Sequence, residues 1–323
     1  MKKLIAILLA MVLAASCMML ASCDLADDGK YTIGVCQLVT HPALDQATQG
    51  FIDAVKAGLG EENVEILLQN AGNDIPLCTT IANDFVSKDV DLIMANATPA
   101  LQAAASATMD IPVLGTSVTE YGVALGIADF DGLVGGNISG TSDLAPLDQQ
   151  AQMIKDLCPT AEKIGLLYCS AEANSKYQVD EVKKFLVDMG YSADNVKEFA
   201  FTDSNDISAV ATAAADFSDA IYVPTDNTVA SNAEIINSIC LAAGVPVIAG
   251  EEGICRGCGI ATLSISYYDL GYLTGEMAVK ILKGEEKISK MPIEYVTKLE
   301  KKYNKTNCDA LGITVPSDYV VIE

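Results

Sequence analysis

The chain is poor in histidine, tryptophan and positive charge. Its 323 residues include one histidine, His41, and no tryptophan. A lone imidazole excludes a multi-histidine metal site and leaves one candidate histidine base. Lysine and arginine number 20 against 43 aspartates and glutamates, a net charge of −23. That balance repels phosphates and excludes nucleic acid as a partner. Catalytic signatures are missing too. There is no Gly-x-Ser-x-Gly elbow, no Gly-x-x-x-x-Gly-Lys phosphate loop and no Gly-x-Gly-x-x-Gly run after a strand. The chain therefore reads as a non-enzyme without cofactor or metal. The rival hydrolase would need His41 beside a nucleophile.

Beyond the N-terminus, no stretch is long and apolar enough to span a bilayer. The N-terminus itself reads as a secretory signal: Met1-Lys2-Lys3, then an unbroken apolar run from Leu4 to Leu13. Leu20-Ala21-Ser22-Cys23 resembles a bacterial lipobox, which implies a signal peptide over 1–22 and acylation of Cys23. Cys17 is the weaker alternative, because Ala14 stands where the leucine is wanted. Residues 23–30 then form an acidic tether. The expected location is the extracytoplasmic face of the cell membrane, with lipid as the only anchor. Eight further cysteines follow, and Cys36, Cys78, Cys169 and Cys240 fall where small buried hydrophobes belong. Only Cys255 and Cys258 have a motif spacing. Without a second pair or a nearby histidine they read as a local disulfide or two free thiols, not a metal site.

What the chain does have is α/β alternation. Tyr31–Gln37 is strand-like and leads through His41-Pro42 into a helix marked by Leu44, Ala47, Phe51 and Val55. Strands are predicted at 64–69, 91–96 and 111–115, and helices at 75–87 and 99–107. A glycine-rich passage over 122–140 breaks the rhythm, which restarts at Lys163. The restart echoes the first pass. Ile33-Gly34-Val35 returns as Ile164-Gly165-Leu166, and Asn73-Asp74-Ile75 as Asn205-Asp206-Ile207. Asp91-Leu92-Ile93-Met94 returns as Asp219-Ala220-Ile221-Tyr222, and Ile111-Pro112-Val113 as Val245-Pro246-Val247. Four echoes in one order predict two lobes of like topology.

Polar residues gather at the carboxyl ends of the predicted strands, where open α/β sheets bind ligands. In the first lobe these include Gln37, His41, Asn96, Thr98 and Ser117. In the second they include Glu172, Asn174, Ser175, Thr225, Asp226, Asn227, Glu251 and Glu252. The expected division is 31–122 plus 260–285 for the first lobe and 140–250 plus 292–323 for the second. The crossovers are then 123–139, 251–259 and 286–291.

Five stretches in this order carry a resemblance. They are Gln37 with His41-Pro42-Ala43-Leu44-Asp45, Gly140-Thr141-Ser142-Asp143, Glu172-Ala173-Asn174-Ser175, Pro224-Thr225-Asp226-Asn227 and Tyr267-Tyr268-Asp269-Leu270-Gly271. With them the chain resembles the solute-binding lipoproteins of bacterial ABC importers, in the branch with tryptophan and tyrosine receptors. The resemblance implies a type I periplasmic binding protein: two Rossmann-like lobes, parallel sheets flanked by helices, joined by a three-stranded hinge. It implies a monomer that closes on a small solute and delivers it to a permease and ATPase. It points to Leu44, Asp45, Ser142, Asp143, Glu172, Asn174, Ser175, Asp226 and Asn227 as cleft residues. For an amino acid, the ammonium is expected at Asp226 or Glu172 and the carboxylate near Thr98, Ser117 and Ser175. Tyr268 or Tyr177 is the candidate to cover a ring. Asp143, Asp226 and Ser175 are equally candidate helix caps, and His41 reads as a cap or surface residue. Glu251-Glu252 reads as a solvated turn. The competing function is a tethered sensor or surface interaction protein with no transport role.

Overall fold

Two separate sheets organise the computed structural model, which describes residues 29–322. The proposed signal peptide, Cys23 and most of the 23–30 tether lie outside those residues. The first pass builds β1 (Tyr31–Gln37), α1 (Pro42–Leu59), β2 (Val64–Asn70), α2 (Ile75–Ser87), β3 (Leu92–Asn96), α3 (Thr98–Ala107), β4 (Val113–Val118), α4 (Tyr121–Leu125) and β5 (Ile138–Ser142). The second builds α5 (Leu147–Leu157), β6 (Ile164–Cys169), α6 (Ala173–Asp188), β7 (Val196–Phe201), α7 (Ile207–Phe217) and β8 (Ala220–Val223). It continues through α8 (Asn227–Ala230), α9 (Ala233–Ala243), β9 (Val247–Ala249), α10 (Glu252–Gly257) and β10 (Ala261–Ser264). The chain ends with α11 (Tyr267–Leu282), β11 (Glu294–Tyr295), β12 (Glu300–Tyr303), α12 (Lys305–Leu311) and β13 (Val320–Val321).

The first sheet runs β11-β5-β4-β3-β1-β2 and the second β13-β12-β10-β9-β8-β6-β7. Every pair is parallel except β10 with β12. The internal echo is thus a structural repeat: β4-β3-β1-β2 and β9-β8-β6-β7 have the same order. Each lobe even reuses one aspartate. Asp91 accepts from the Thr32 N–H at the start of β1 (2.7 Å). Asp219 accepts from the Glu162 and Lys163 N–H groups at the start of β6 (2.9 and 2.8 Å). These backbone donors hold the Asp219 carboxyl below its usual range. Every position of β3, β4, β6 and β8 is buried, as helices on both faces of a parallel sheet require. All eight cysteines among the described residues are free and buried, Cys255 and Cys258 included.

The expected lobe boundaries need correction. Residues 138–142 form β5 in the first sheet, and 261–264 form β10 in the second, the reverse of the expected assignment. β11, expected in the second lobe, pairs with β5 in the first. The chain therefore crosses between sheets at 143–146, 265–266 and 296–299. None of 123–139, 251–259 or 286–291 crosses. The first holds α4 and a loop beside β4, the second holds α10, and the third packs on β5, where Ser139 donates to the Met291 carbonyl (2.9 Å).

After its second crossing the chain returns to the first lobe as α11, which lies tightly along α1. The approach depends on glycine: a Cβ on Gly271 would occupy the Ala47 carbonyl, and one on Gly50 the Tyr268 carbonyl. In an open helix Gly→Ala stabilises by about 1 kcal/mol. Here the sign inverts. Gly271→Ala should destabilise by about 1–3 kcal/mol through overpacking, read as a lower urea midpoint at unchanged slope.

Candidate functional site

The carboxyl ends of both sheets meet at one cavity. From the first lobe it is lined by His41 and Leu44 at the start of α1, Ser117 in β4, Asp143 just after β5 and Tyr267 at the start of α11. From the second it is lined by Asn174 of α6, Thr225, Asp226, Asn227, Ala230 and Glu251. The cavity measures about 10 Å³, room for one water molecule. A larger solute is admitted only when the lobes part or the lining moves.

Four lining groups carry a buried polar atom with no hydrogen-bond partner: His41 Nδ1, Ser117 Oγ, Asp143 Oδ1 and Asn174 Oδ1. Each such atom costs about 1–3 kcal/mol, and folded proteins leave few of them. Four such atoms from two lobes, all on residues that line one cavity, suit a site that takes a polar solute. The backbone beside it is strained as well. Ala97 and Ser117, at the ends of β3 and β4, have φ of 95° and 53°, uncommon for non-glycine residues. Asn73, Asp89 and Asp129, away from the cavity lining, also have positive φ.

Other predicted residues build the walls rather than line them. Gln37 Nε2 donates to Asp45 Oδ1 (2.6 Å) and the Val39 carbonyl (2.8 Å), and Gln37 accepts from Thr48 Oγ1 (2.6 Å). Asn96 Nδ2 donates to the Leu44 carbonyl (2.8 Å) and Thr48 Oγ1 (2.9 Å). This network fixes the start of α1, which carries His41 and Leu44. Asp45 itself faces solvent. Thr98 is buried with an unpartnered hydroxyl but does not line the cavity. Ser142 Oγ donates to the Thr119 carbonyl (2.7 Å) and accepts from the Leu144 N–H (3.1 Å), shaping the first crossing. Ser175 is buried behind Asn174.

Glu172 is committed inside the second lobe. Its oxygens accept from the Asn227 and Thr228 N–H groups (3.1 and 2.9 Å), Asn227 Nδ2 (2.6 Å) and Thr228 Oγ1 (2.8 Å). Asp226 accepts from the Val229 N–H as the N-cap of α8 (2.8 Å) and from the Cys169 N–H (2.7 Å). Each Asp226 oxygen therefore has a donor, whereas Asp143 has one oxygen bound to the Tyr267 hydroxyl (3.0 Å) and its Oδ1 without a well-formed hydrogen bond, with the Thr119 side chain near enough to act on the carboxyl. Asp143, not Glu172, is the carboxyl with spare capacity for an ammonium.

The aromatic expectation also changes. Tyr268 is exposed and donates to Asp53 on the surface (3.0 Å), and Tyr177 does not line the cavity. Tyr267 is the buried aromatic there. Sequence reasoning set His41 and Glu251 aside, yet both are buried and line the cavity. Their place at strand ends was the available signal. Glu251 is no solvated turn: it caps α10, accepting from the Gly253 (2.6 Å) and Ile254 N–H groups.

Burial dominates the electrostatics. It pushes Asp143 up, lifts Asp226 to about 8 with help from the Glu172 charge, and lifts Glu251 to about 7 against two backbone donors. It pushes His41 down, against the Asn227 contact and the Glu172 and Asp45 charges. No lysine or arginine lines the cavity, and the chain's single arginine, Arg256, pairs with Glu252 (3.0 Å). The cavity therefore favours a solute that brings its own positive charge.

Comparison with known proteins agrees in kind. A family model described as ABC transporter substrate binding protein matches residues 32–322. A tyrosine-binding protein of Clostridioides difficile (strain R20291) is 36% identical, covering 97% of this chain and 93% of that protein. A Streptococcus pneumonia ABC domain solved in complex with L-Trp is 34% identical, with a TM-score of 0.85 over 91% of this chain and 100% of that one. A ligand-free, open substrate-binding protein with adhesive properties from Clostridium difficile is 40% identical over 91% and 100%, yet its TM-score is 0.68. The structure described here superposes better on the L-Trp complex than on the ligand-free, open structure, although the latter is more similar in sequence.

The raised carboxyls fix a pH response. A carboxyl whose pKa is raised on folding adds stability that is full below its unfolded value and is lost as pH rises through the folded value. For Asp226 the window runs from 3.8 to about 8. Without solute, the melting temperature should fall between pH 5 and pH 8.5. Asp226→Asn should flatten that slope in differential scanning calorimetry, and an unchanged slope would remove Asp226 as its source.

Proposed function

The chain belongs to the ABC transporter substrate-binding protein family, and from that premise we propose that it captures a single amino acid between its lobes and delivers it to an ABC permease. The observation that carries this reading is the set of four unpartnered polar atoms converging on one cavity. The type I periplasmic binding protein fold supplies two like lobes for it to bridge. Asp143 Oδ1 and Asn174 Oδ1 take the solute's ammonium. Ser117 Oγ and nearby backbone N–H groups take its carboxylate, and Tyr267 covers an aromatic side chain. The tyrosine-binding relative and the L-Trp complex support an aromatic amino acid as cargo.

In the working mechanism the open form exposes both walls, and the solute lands on one lobe. Closure is then stabilised by the bonds it makes with the other. Acylation of Cys23 holds the protein to the outer face of the membrane, within reach of the permease and its ATPase. The adhesive C. difficile relative favours a second reading, a surface protein whose contacts matter more than its cargo. Loss of labelled tyrosine uptake on deletion of the gene favours transport, and intact uptake with lost surface binding favours adhesion.

L-Tyrosine and L-tryptophan should bind in isothermal titration calorimetry and raise the melting temperature by mass action. Asp143→Asn keeps the Tyr267 contact but removes the charge. It should weaken binding roughly tenfold or more, since a charge-assisted hydrogen bond is worth about 1.5–3 kcal/mol. Equal affinity in the variant would displace Asp143 from the site. No binding of either amino acid would point to another class of solute.

A further inference from the structure

His41 has two ring nitrogens with different surroundings. Nε2 lies 3.2 Å from Asn227 Oδ1, across the cleft in the other lobe. The orientation of the Asn227 amide is fixed by its other end, because Nδ2 donates to Glu172 Oε2 at 2.6 Å. Turning the amide over would bring two bare oxygens together at Glu172. Asn227 therefore presents an acceptor, and His41 Nε2 must carry the proton. Burial holds the imidazole neutral at pH 7, although Glu172 and Asp45 favour its charged form and Asp143, Asp226 and Glu251 share its cavity. Nδ1 is then a bare lone pair, nine-tenths buried and without a partner.

That makes three unpartnered acceptors in one cavity: Asp143 Oδ1, Asn174 Oδ1 and His41 Nδ1. The Asn174 orientation is also fixed, since Nδ2 donates to the Thr225 carbonyl (2.9 Å). An ammonium carries three N–H donors. We propose that His41, as the Nε2–H tautomer, is the third acceptor of the solute's ammonium and the residue that ties capture to closure. Its Nδ1 accepts from the solute while its Nε2–H donates to Asn227 across the cleft. A donor on Nδ1 makes Nε2–H more acidic and strengthens the interlobe bond, as in any polarised hydrogen-bond chain. This inference rests on the amino acid reading and adds to it a residue and a tautomer.

The single histidine makes the test direct. Tag-free protein labelled with nitrogen-15 histidine gives the ring signals of His41 alone in long-range proton–nitrogen spectra. The solute-free protein should show the Nε2–H tautomer. Saturating L-tyrosine and L-phenylalanine should both move Nδ1 from the bare to the hydrogen-bonded range, since phenylalanine's only N–H donors are those of its ammonium. His41→Gln keeps an N–H for Asn227 but moves its remaining acceptor, the amide oxygen, off the position of Nδ1, and should raise Kd for both amino acids roughly tenfold. An Nδ1–H tautomer, an unmoved Nδ1 at saturation, or a shift with tyrosine alone would overturn the proposal. Failure of the wild type to bind any amino acid in calorimetry would instead overturn the functional reading beneath it.

Discussion

Glu172 holds together a helix that could not hold itself. The α8 helix is one turn long, and a single turn does not repay its own nucleation. Four donors on one carboxyl group fix its first two residues, Asn227 and Thr228, and Asp226 caps it from behind. Those two residues then reach the other lobe. Asn227 meets His41 and Thr228 meets Asn73, each at 3.2 Å. The interlobe contact is thus made by side chains whose geometry is fixed by bonds within the second lobe. Pre-organisation of this kind keeps the entropy of ordering out of the binding step.

The same closure buries charge. Asp143, Asp226 and Glu251 enter a cavity with no cation in its lining, and burial lifts all three. A closed form without solute must hold protons on these groups or bear the cost of unpaired buried charge. A zwitterion with an ammonium removes that conflict, while its carboxylate needs only hydroxyls and amides. On the proposed reading, charge supplied by the cargo would bias the lobes toward closing. A neutral solute of the same size would leave the conflict in place. Preference for the cargo and preference for the closed form have one physical source.

Much of this architecture was legible in the sequence because parallel strands are local and loud. Ile33-Gly34-Val35 and Ile164-Gly165-Leu166 announce buried strands, and their spacing announces the repeat. The fifth strands were not legible. β5 reads Ile-Ser-Gly-Thr-Ser, with low strand propensity and no alternation. Its small residues are there because Gly140 lies against Gly115 and Thr141 meets Thr274 on α11 at 2.8 Å. A glycine-rich passage reads as a linker when the partners that call for small residues lie elsewhere in the chain, Gly115 well upstream and Thr274 far downstream. The site divides in the same manner. Asn174 could be found from its place at a strand end, whereas Asp143 came only with the family resemblance, because the strand it follows was not legible. His41 and Glu251 also stood at predicted strand ends, but polar residues are usually exposed, and only the meeting of two lobes buries these.

The placement of Asp143 and Tyr267 bears on how binding is felt. Asp143 opens the first crossing between lobes, and Tyr267 follows directly on the second. Their 3.0 Å hydrogen bond ties the two crossings together at the floor of the cavity. Asp143 Oδ1, the oxygen left for the solute, belongs to the same carboxyl group. A solute held there acts on the crossings directly and needs no chain of intermediates through either lobe. The groups that recognise the cargo and the segments that set the lobe angle are, at this point, the same residues. On the proposed reading, closing around the solute and sensing its ammonium would be one event, because Asp143 and Tyr267 both line the cavity and both flank a crossing.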